Sequence, residues 1–173
     1  MSNDWMLGGS REVRSWHDQM QVCLNGHRIT ANALGSPEFR EDFCSRCGMR
    51  TIMACEKCRT PIQGEYHVEN VFAVGMNTPV PKYCTKCGSP YPWQEAAIEN
   101  LKEALREGGL DSADIQAAEL ALPDIMHDTP KTELASLKFG RILKKLGKPV
   151  YEVAIKVVTD VASEAAKKAL GLG

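Results

Sequence analysis

Hydrophobic positions along the 173-residue chain change their spacing near residue 90. Before that point apolar residues come in short runs broken by Gly, Pro and Asn. After it they recur every three to four residues. In the first part, Gln21-Val22-Cys23 and His27-Arg28-Ile29 flank Asn25-Gly26, a strong tight-turn signal, and together predict a short β-hairpin. Tyr66, Val68, Val71, Phe72 and Val74, within Glu65 to Val74, and the run Val80 to Tyr83 predict further short strands. Beyond Pro90-Tyr91-Pro92, Ala97, Ile98, Leu101 and Leu105 predict a helix from Trp93 to Glu107, stopped by Gly108-Gly109. A second helix is expected from Asp111 or Ser112 to just before Pro123. A third is expected from Thr129, with Pro130 at its first position, to Leu146, where Gly147 and Pro149 stop it. The last runs from about Val150 to Leu170 and presents a broad apolar face that includes Ala154, Ile155, Val158, Val161 and Ala162.

Composition adds a problem and its answer. The chain is 43% hydrophobic and 25% charged, ordinary for a globular protein, but only 6% aromatic, so a small first domain needs a stabilising device other than a large core. The seven cysteines supply one. They stand at Cys23, Cys44, Cys47, Cys55, Cys58, Cys84 and Cys87, and none follows. The N-terminal residues lack the apolar run of a signal peptide, so a cytoplasmic setting is the expectation, where thiols stay reduced and free to bind metal. Three pairs have the Cys-x2-Cys spacing that lets two thiolates converge on one tetrahedral ion. In two of them, Cys44-Ser-Arg-Cys-Gly48 and Cys84-Thr-Lys-Cys-Gly88, the following Gly permits a positive φ.

The seventh cysteine finds its complement across the predicted hairpin. Cys23-Leu-Asn-Gly-His27 brings Cys23 and His27 together, and His27 makes the eighth ligand. Eight ligands form two closed four-coordinate zinc sites, two ions per chain. Paired in sequence, Cys23, His27, Cys44 and Cys47 hold one ion and Cys55, Cys58, Cys84 and Cys87 the other. A cross-brace joining alternate pairs is the other arrangement. The seven-residue spacer from Gly48 to Ala54 favours the sequential one. With every coordination position filled by protein, the sites read as structural and the chain as non-enzymatic. His67-Val-Glu69 followed by Cys84 and Cys87 superficially has elements of a zinc deaminase, but Pro81 is not adjacent to Cys84, and the reading would strand Cys55 and Cys58. His17-Asp18 and His127-Asp128 are adjacent acid-base pairs without an orienting partner in sequence. The fold class is therefore α+β: residues 1–17 an N-terminal extension, 18–92 a tandem zinc-ribbon module, and 93–173 a helical domain.

These residues resemble a family of small bacterial zinc-ribbon proteins that is a domain of unknown function. Cys23-Leu-Asn-Gly-His27-Arg-Ile-Thr, Phe43-Cys-Ser-Arg-Cys-Gly48, Cys55 and Cys58 followed by Ile62-Gln-Gly64, and Cys84-Thr-Lys-Cys-Gly-Ser-Pro-Tyr-Pro-Trp93 carry the likeness. Asp128-Thr-Pro130 and Ser163-Glu-Ala-Ala-Lys-Lys168 extend it into the helices. The resemblance implies the fold and brings no activity with it.

Charge then bears on partners. The formal net charge of −1 conceals a partition: Glu95 to Asp128 holds nine acidic residues against Lys102 and Arg106, and Thr129 to Lys148 holds six basic residues against Glu133. The simplest use of this partition is helix against helix, within one chain or between copies. The function expected is that of a zinc-binding interaction or scaffold protein whose helices mediate self-association or partner binding. Nucleic-acid binding is the alternative, through Arg46, Arg50, Lys57, Arg59, Lys82 and Lys86 near the cysteine pairs, with Tyr66, Tyr83 and Trp93 to stack. A zinc-dependent enzyme carries low weight. A membrane is disfavoured, since the last helix lacks Trp and Phe.

Overall fold

The computed structural model describes residues 13–71 and 77–172. It is a mixed α/β protein, with small antiparallel sheets in the N-terminal part and five helices after them. Two compact units meet at Tyr91 and Pro92.

In the first unit, strands β1 (Ser15–Gln19), β2 (Gln21–Cys23), β3 (Arg28–Thr30), β4 (Thr51–Ile52) and β5 (Gln63–Val68) form two sheets. The predicted hairpin is present as β2 and β3, with Gly26 at φ 81° in its turn. Strand β4 pairs with the other edge of β2 and sets Cys23 opposite Thr51. The second sheet is the antiparallel pair β1 and β5. Ser15–Gln19 lies mostly inside what the sequence reads as an extension, because its residues show no apolar alternation. Its pairing rests instead on cross-strand rings, with Trp16 stacked on His67 and His17 tilted against Tyr66, the kind of pair that stabilises a ribbon. Tyr66 and Val68 thus pair with β1, and Tyr83 makes an isolated bridge to Pro90. Phe72 and Val74 lie outside the described residues.

Met20, Val22, Ala33 and Ile62 make the small core between these elements, all fully buried. The buried Asp18 carboxylate accepts the Leu34 and Gly35 amides, each at 2.9 Å, and so ties the following loop to β1. Gly64 lies so close to the backbone that a Cβ there would fall 2.0 Å from the Ala31 carbonyl oxygen. Only glycine lets β5 lie this close to the backbone just after β3.

The second unit comprises α1 (Pro92–Glu107), α2 (Ser112–Met126), α3 (Thr132–Leu143), α4 (Lys148–Val161) and α5 (Glu164–Leu170). Helix α1 packs along α4 and α2 along α3, while α5 lies on α3. Leu101, Leu105, Leu122, Ile125, Phe139, Leu143 and Val158 form a continuous core. Ala154, Val161, Ala162 and Ala166 join it, so the apolar face of the C-terminal segment is covered by its own chain.

Three boundaries differ from the pattern. Helix α2 continues through Pro123 to Met126. A proline so near a C-terminus removes one helix bond, and buried Leu122 and Ile125 hold the last turn, closed by His127 N–H on the Pro123 carbonyl. Helix α3 begins at Thr132, two residues after Pro130. The Thr132 hydroxyl explains this, donating toward the Asp124 and His127 carbonyls at 2.8 and 2.9 Å and locking the turn before the helix. The final helix is two helices. Ser163 caps α5 by accepting from Ala166 N–H, and its own amide bonds the Ile125 carbonyl at 2.9 Å, so the chain turns there instead of running on.

Candidate metal centres

Each Cys-x2-Cys pair is built the same way. With the first cysteine as reference, its amide donates to the carbonyl five residues on: Cys44 to Met49, Cys55 to Thr60, Cys84 to Ser89, all 2.8 Å. The amide four residues on donates back to the cysteine carbonyl, from Gly48, Arg59 and Gly88 at 2.7, 2.8 and 2.9 Å. The amide seven residues on closes the hairpin: Thr51 to Asp42, Ile62 to Met53, Tyr91 to Lys82. The three knuckles are one structural repeat. Cys23 and His27 form a shorter fourth element, in which Cys23 N–H donates to the His27 carbonyl at 3.0 Å.

The fourth position of every knuckle is left-handed, with φ 71° at Gly48, 63° at Arg59 and 68° at Gly88. Two of the three have the residue that adopts this conformation freely; Arg59 does not, and carries a cost on the order of 1–2 kcal/mol. Against glycine's own entropic cost, Arg59→Gly is expected to stabilise the first unit by about 0.5–1 kcal/mol. Denaturant unfolding of the metal-loaded protein, followed through Trp16, measures it; unchanged or lower stability contradicts the assignment of strain.

The knuckles meet in sequential pairs. Cys23, His27, Cys44 and Cys47 place one ligand atom each within 4.8 Å of all the others, and Cys55, Cys58, Cys84 and Cys87 do the same. Among the described residues these are the two such groups, and the arrangement is not a cross-brace. Sγ atoms of Cys23 and Cys47 are 3.7 Å apart, and Cys44 Sγ is 3.7 Å from His27 Nδ1. In the second group the Cys55–Cys87 and Cys58–Cys84 sulfur separations are 3.8 and 3.5 Å. Two sulfurs bound tetrahedrally at ~2.3 Å from one ion stand about 3.8 Å apart, and a sulfur and a nitrogen somewhat less. Both donor sets therefore fit a metal ion.

Local polarity prepares the ligands. The first cysteine of each knuckle and Cys23 are buried, and burial pushes the Cys23 and Cys55 thiols up. The later cysteine of each pair meets donors: the Met49 amide pulls the Cys47 thiol down, and the Thr60 hydroxyl and amide do the same for Cys58. The Ser89 hydroxyl and amide bring Cys87 down to about 6. His27 N–H donates to Cys23 Sγ at 3.3 Å, and Asn25 Nδ2 to Cys47 Sγ at 3.6 Å. Such outer donors favour the thiolate, the form that binds metal. Tyr91, buried beside the second group, has its phenol raised by burial and then by the negative Cys84 and Cys55.

The remaining polar candidates are placed elsewhere. His67 stacks on Trp16 and lies with Nε2 3.1 Å from Asn32 Oδ1, outside both groups. His17 Nδ1 is 3.2 Å from the Gly64 carbonyl, His127 ends α2, and Asp128 accepts from Ser163. Arg50 pairs with Glu56. Tyr66 belongs to β5 and Trp93 to α1, while Tyr83 lies beside Cys84 and bridges Pro90 across the third knuckle.

The molecule is thus a two-unit protein whose first unit carries two four-ligand groups able to hold metal, one of three cysteines and a histidine and one of four cysteines, and whose second unit is five helices. The chain belongs to the family described as an uncharacterized protein conserved in bacteria (DUF2321), which it matches over residues 16–170. Comparison with curated proteins and with solved structures returns no match. Among the described residues no helix is long and apolar enough to cross a membrane.

Proposed function

We propose that the protein is a non-enzymatic zinc-binding scaffold, in which two structural zinc ions fold the first unit and the helical unit serves as an interaction module. The observation that carries the metal part is the spacing of the ligand atoms, 3.5 to 3.8 Å where the closest approaches occur, in two separate sets of four. Thiolate-rich tetrahedral sets suit zinc, a d¹⁰ ion with no geometric preference to oppose them. Because the chain fills all four positions at each ion, no position is left for an activated water, which supports a structural role over catalysis. Elemental analysis of the purified protein is expected to give two zinc ions per chain. His27→Ala should lower this toward one while leaving the all-cysteine set loaded. A wild-type content near one, or iron in place of zinc, would overturn the assignment.

A further inference from the structure

The helical unit has two apolar grooves with opposite charge on their rims. One lies between α2 and α3, with Ala117, Ala121 and Ala135 as its floor and Leu120 and Leu134 as its walls. Leu120, Leu134 and neighbouring Leu137 are 72, 58 and 49% exposed, an unusual density of open leucine. Lys131 and Lys138 line this groove, and Arg141 continues their row along α3. Its acidic member, Asp124, is engaged by the Thr129 hydroxyl at 3.0 Å. The other groove lies between α1 and α4, where Ala104, Pro149, Val150 and the 55%-exposed Val153 make an apolar trough rimmed by Glu107. Glu103, one turn before Glu107, is exposed as well.

These charges are not used within the unit. Across the acidic and basic segments Lys145 reaches Asp114 at 2.5 Å, while Arg106 of α1 and Glu119 of α2, 2.6 Å apart, pair within the acidic segment. Among the described residues, Glu103, Glu107, Lys131, Lys138 and Arg141 enter no ion pair. The reason is topological: α1 packs with α4, and α3 with α2 and α5, so the acidic rim and the basic rim belong to different helix pairs.

We infer that the basic, leucine-walled face of α2 and α3 docks into the acidic trough of α1 and α4 on a second copy of the chain. The occupant follows from complementarity, since both grooves are apolar and their unpaired rim charges are opposite, Lys131 and Lys138 on one and Glu107 on the other. The two grooves are different surfaces on different helix pairs, so the contact between them is heterologous. The association is therefore head-to-tail, propagating until it closes a ring. This rests on the helical unit being an interaction module, and it names the surface and the partner.

Two charge-reversed full-length variants test it. One carries Lys131→Glu, Lys138→Glu and Arg141→Glu; the other carries Glu103→Lys and Glu107→Lys. By sedimentation velocity at low salt, the wild type should show a mass above the monomer that rises with concentration. Each variant alone places like charge against like and should associate at least tenfold more weakly. An equimolar mixture should recover association, because each variant then meets its complement. A wild type that stays monomeric, variants that associate like the wild type, or a mixture that does not recover would overturn the inference. Zinc content separates this from failure of the scaffold assignment: two ions per chain in all three proteins leaves that assignment standing when the docking fails.

Discussion

Removing metal with a strong chelator is expected to unfold the first unit and leave the helices folded. Among the described residues of the first unit the fully buried apolar side chains are few, with Met20, Val22 and Ile62 the largest, and the strands are two to six residues long. Such an assembly sits at the size where a core alone does not hold a fold. Structural zinc contributes on the order of 10 kcal/mol in comparable small domains, which exceeds any stability the residual core supplies. The helical unit contains no cysteine, and its core from Leu101 to Ala166 does not pass through either ligand group. Chelation should therefore abolish the near-ultraviolet signal of Trp16 and amide-exchange protection at the knuckles, while most helical dichroism survives. Returning zinc should restore both. A loss of helical signal in step with the first unit, or a first unit indifferent to the chelator, would refute the division of labour.

The ligand groups were legible because metal chemistry is local. Cys-x2-Cys and Cys23-Leu-Asn-Gly-His27 put their ligands within a turn of each other, and an odd cysteine beside a turn-forming Asn-Gly pair leaves little freedom of choice. The mixed fold followed from the same residues together with the helical periodicity after Pro92. What was missed depends on distant partners. Strand β1 has no apolar alternation and exists through Trp16 on His67 and His17 against Tyr66, pairings across some fifty residues. The break at Ser163 was visible as a capping residue, but whether a serine inside an apolar pattern caps or rides along is decided by the Ile125 carbonyl waiting for its amide. The three Cys-x2-Cys pairs were legible as one kind of unit, but the backbone hydrogen bonds that repeat from one to the next were not, and at the left-handed position Arg59 stands where the other two have glycine. Charge was the subtlest case. Acidic and basic segments adjacent in sequence suggested mutual neutralisation, yet among the described residues Lys145 and Asp114 are the pair that achieves it, because the acidic α1 packs chiefly on α4 and not on the basic α3.

Phe139→Ala is expected to destabilise the helical unit by about 3–5 kcal/mol without releasing zinc. Phe139 is the largest fully buried side chain in the molecule's described part, and it sits on α3, the helix that contacts both α2 and α5. Truncation leaves a cavity that a tightly packed core fills only in part, so the lost transfer free energy and the lost packing add. Its neighbour one turn earlier, Ser136, is also fully buried, with an Oγ that has no hydrogen-bond partner, so the site offers no polar network to bridge the void. A domain of this size has some 5–15 kcal/mol to lose, and the substitution should bring its thermal transition well below that of the wild type. The metal-held unit should keep two ions and its own transition, since its ligands and its described buried core all come from residues before Pro92. Monitored by helical dichroism and zinc content on one sample, the two units should separate into an early helical transition and a later, chelator-sensitive one. A variant that loses zinc along with its helices would show that the ions and Phe139 stabilise one cooperative fold.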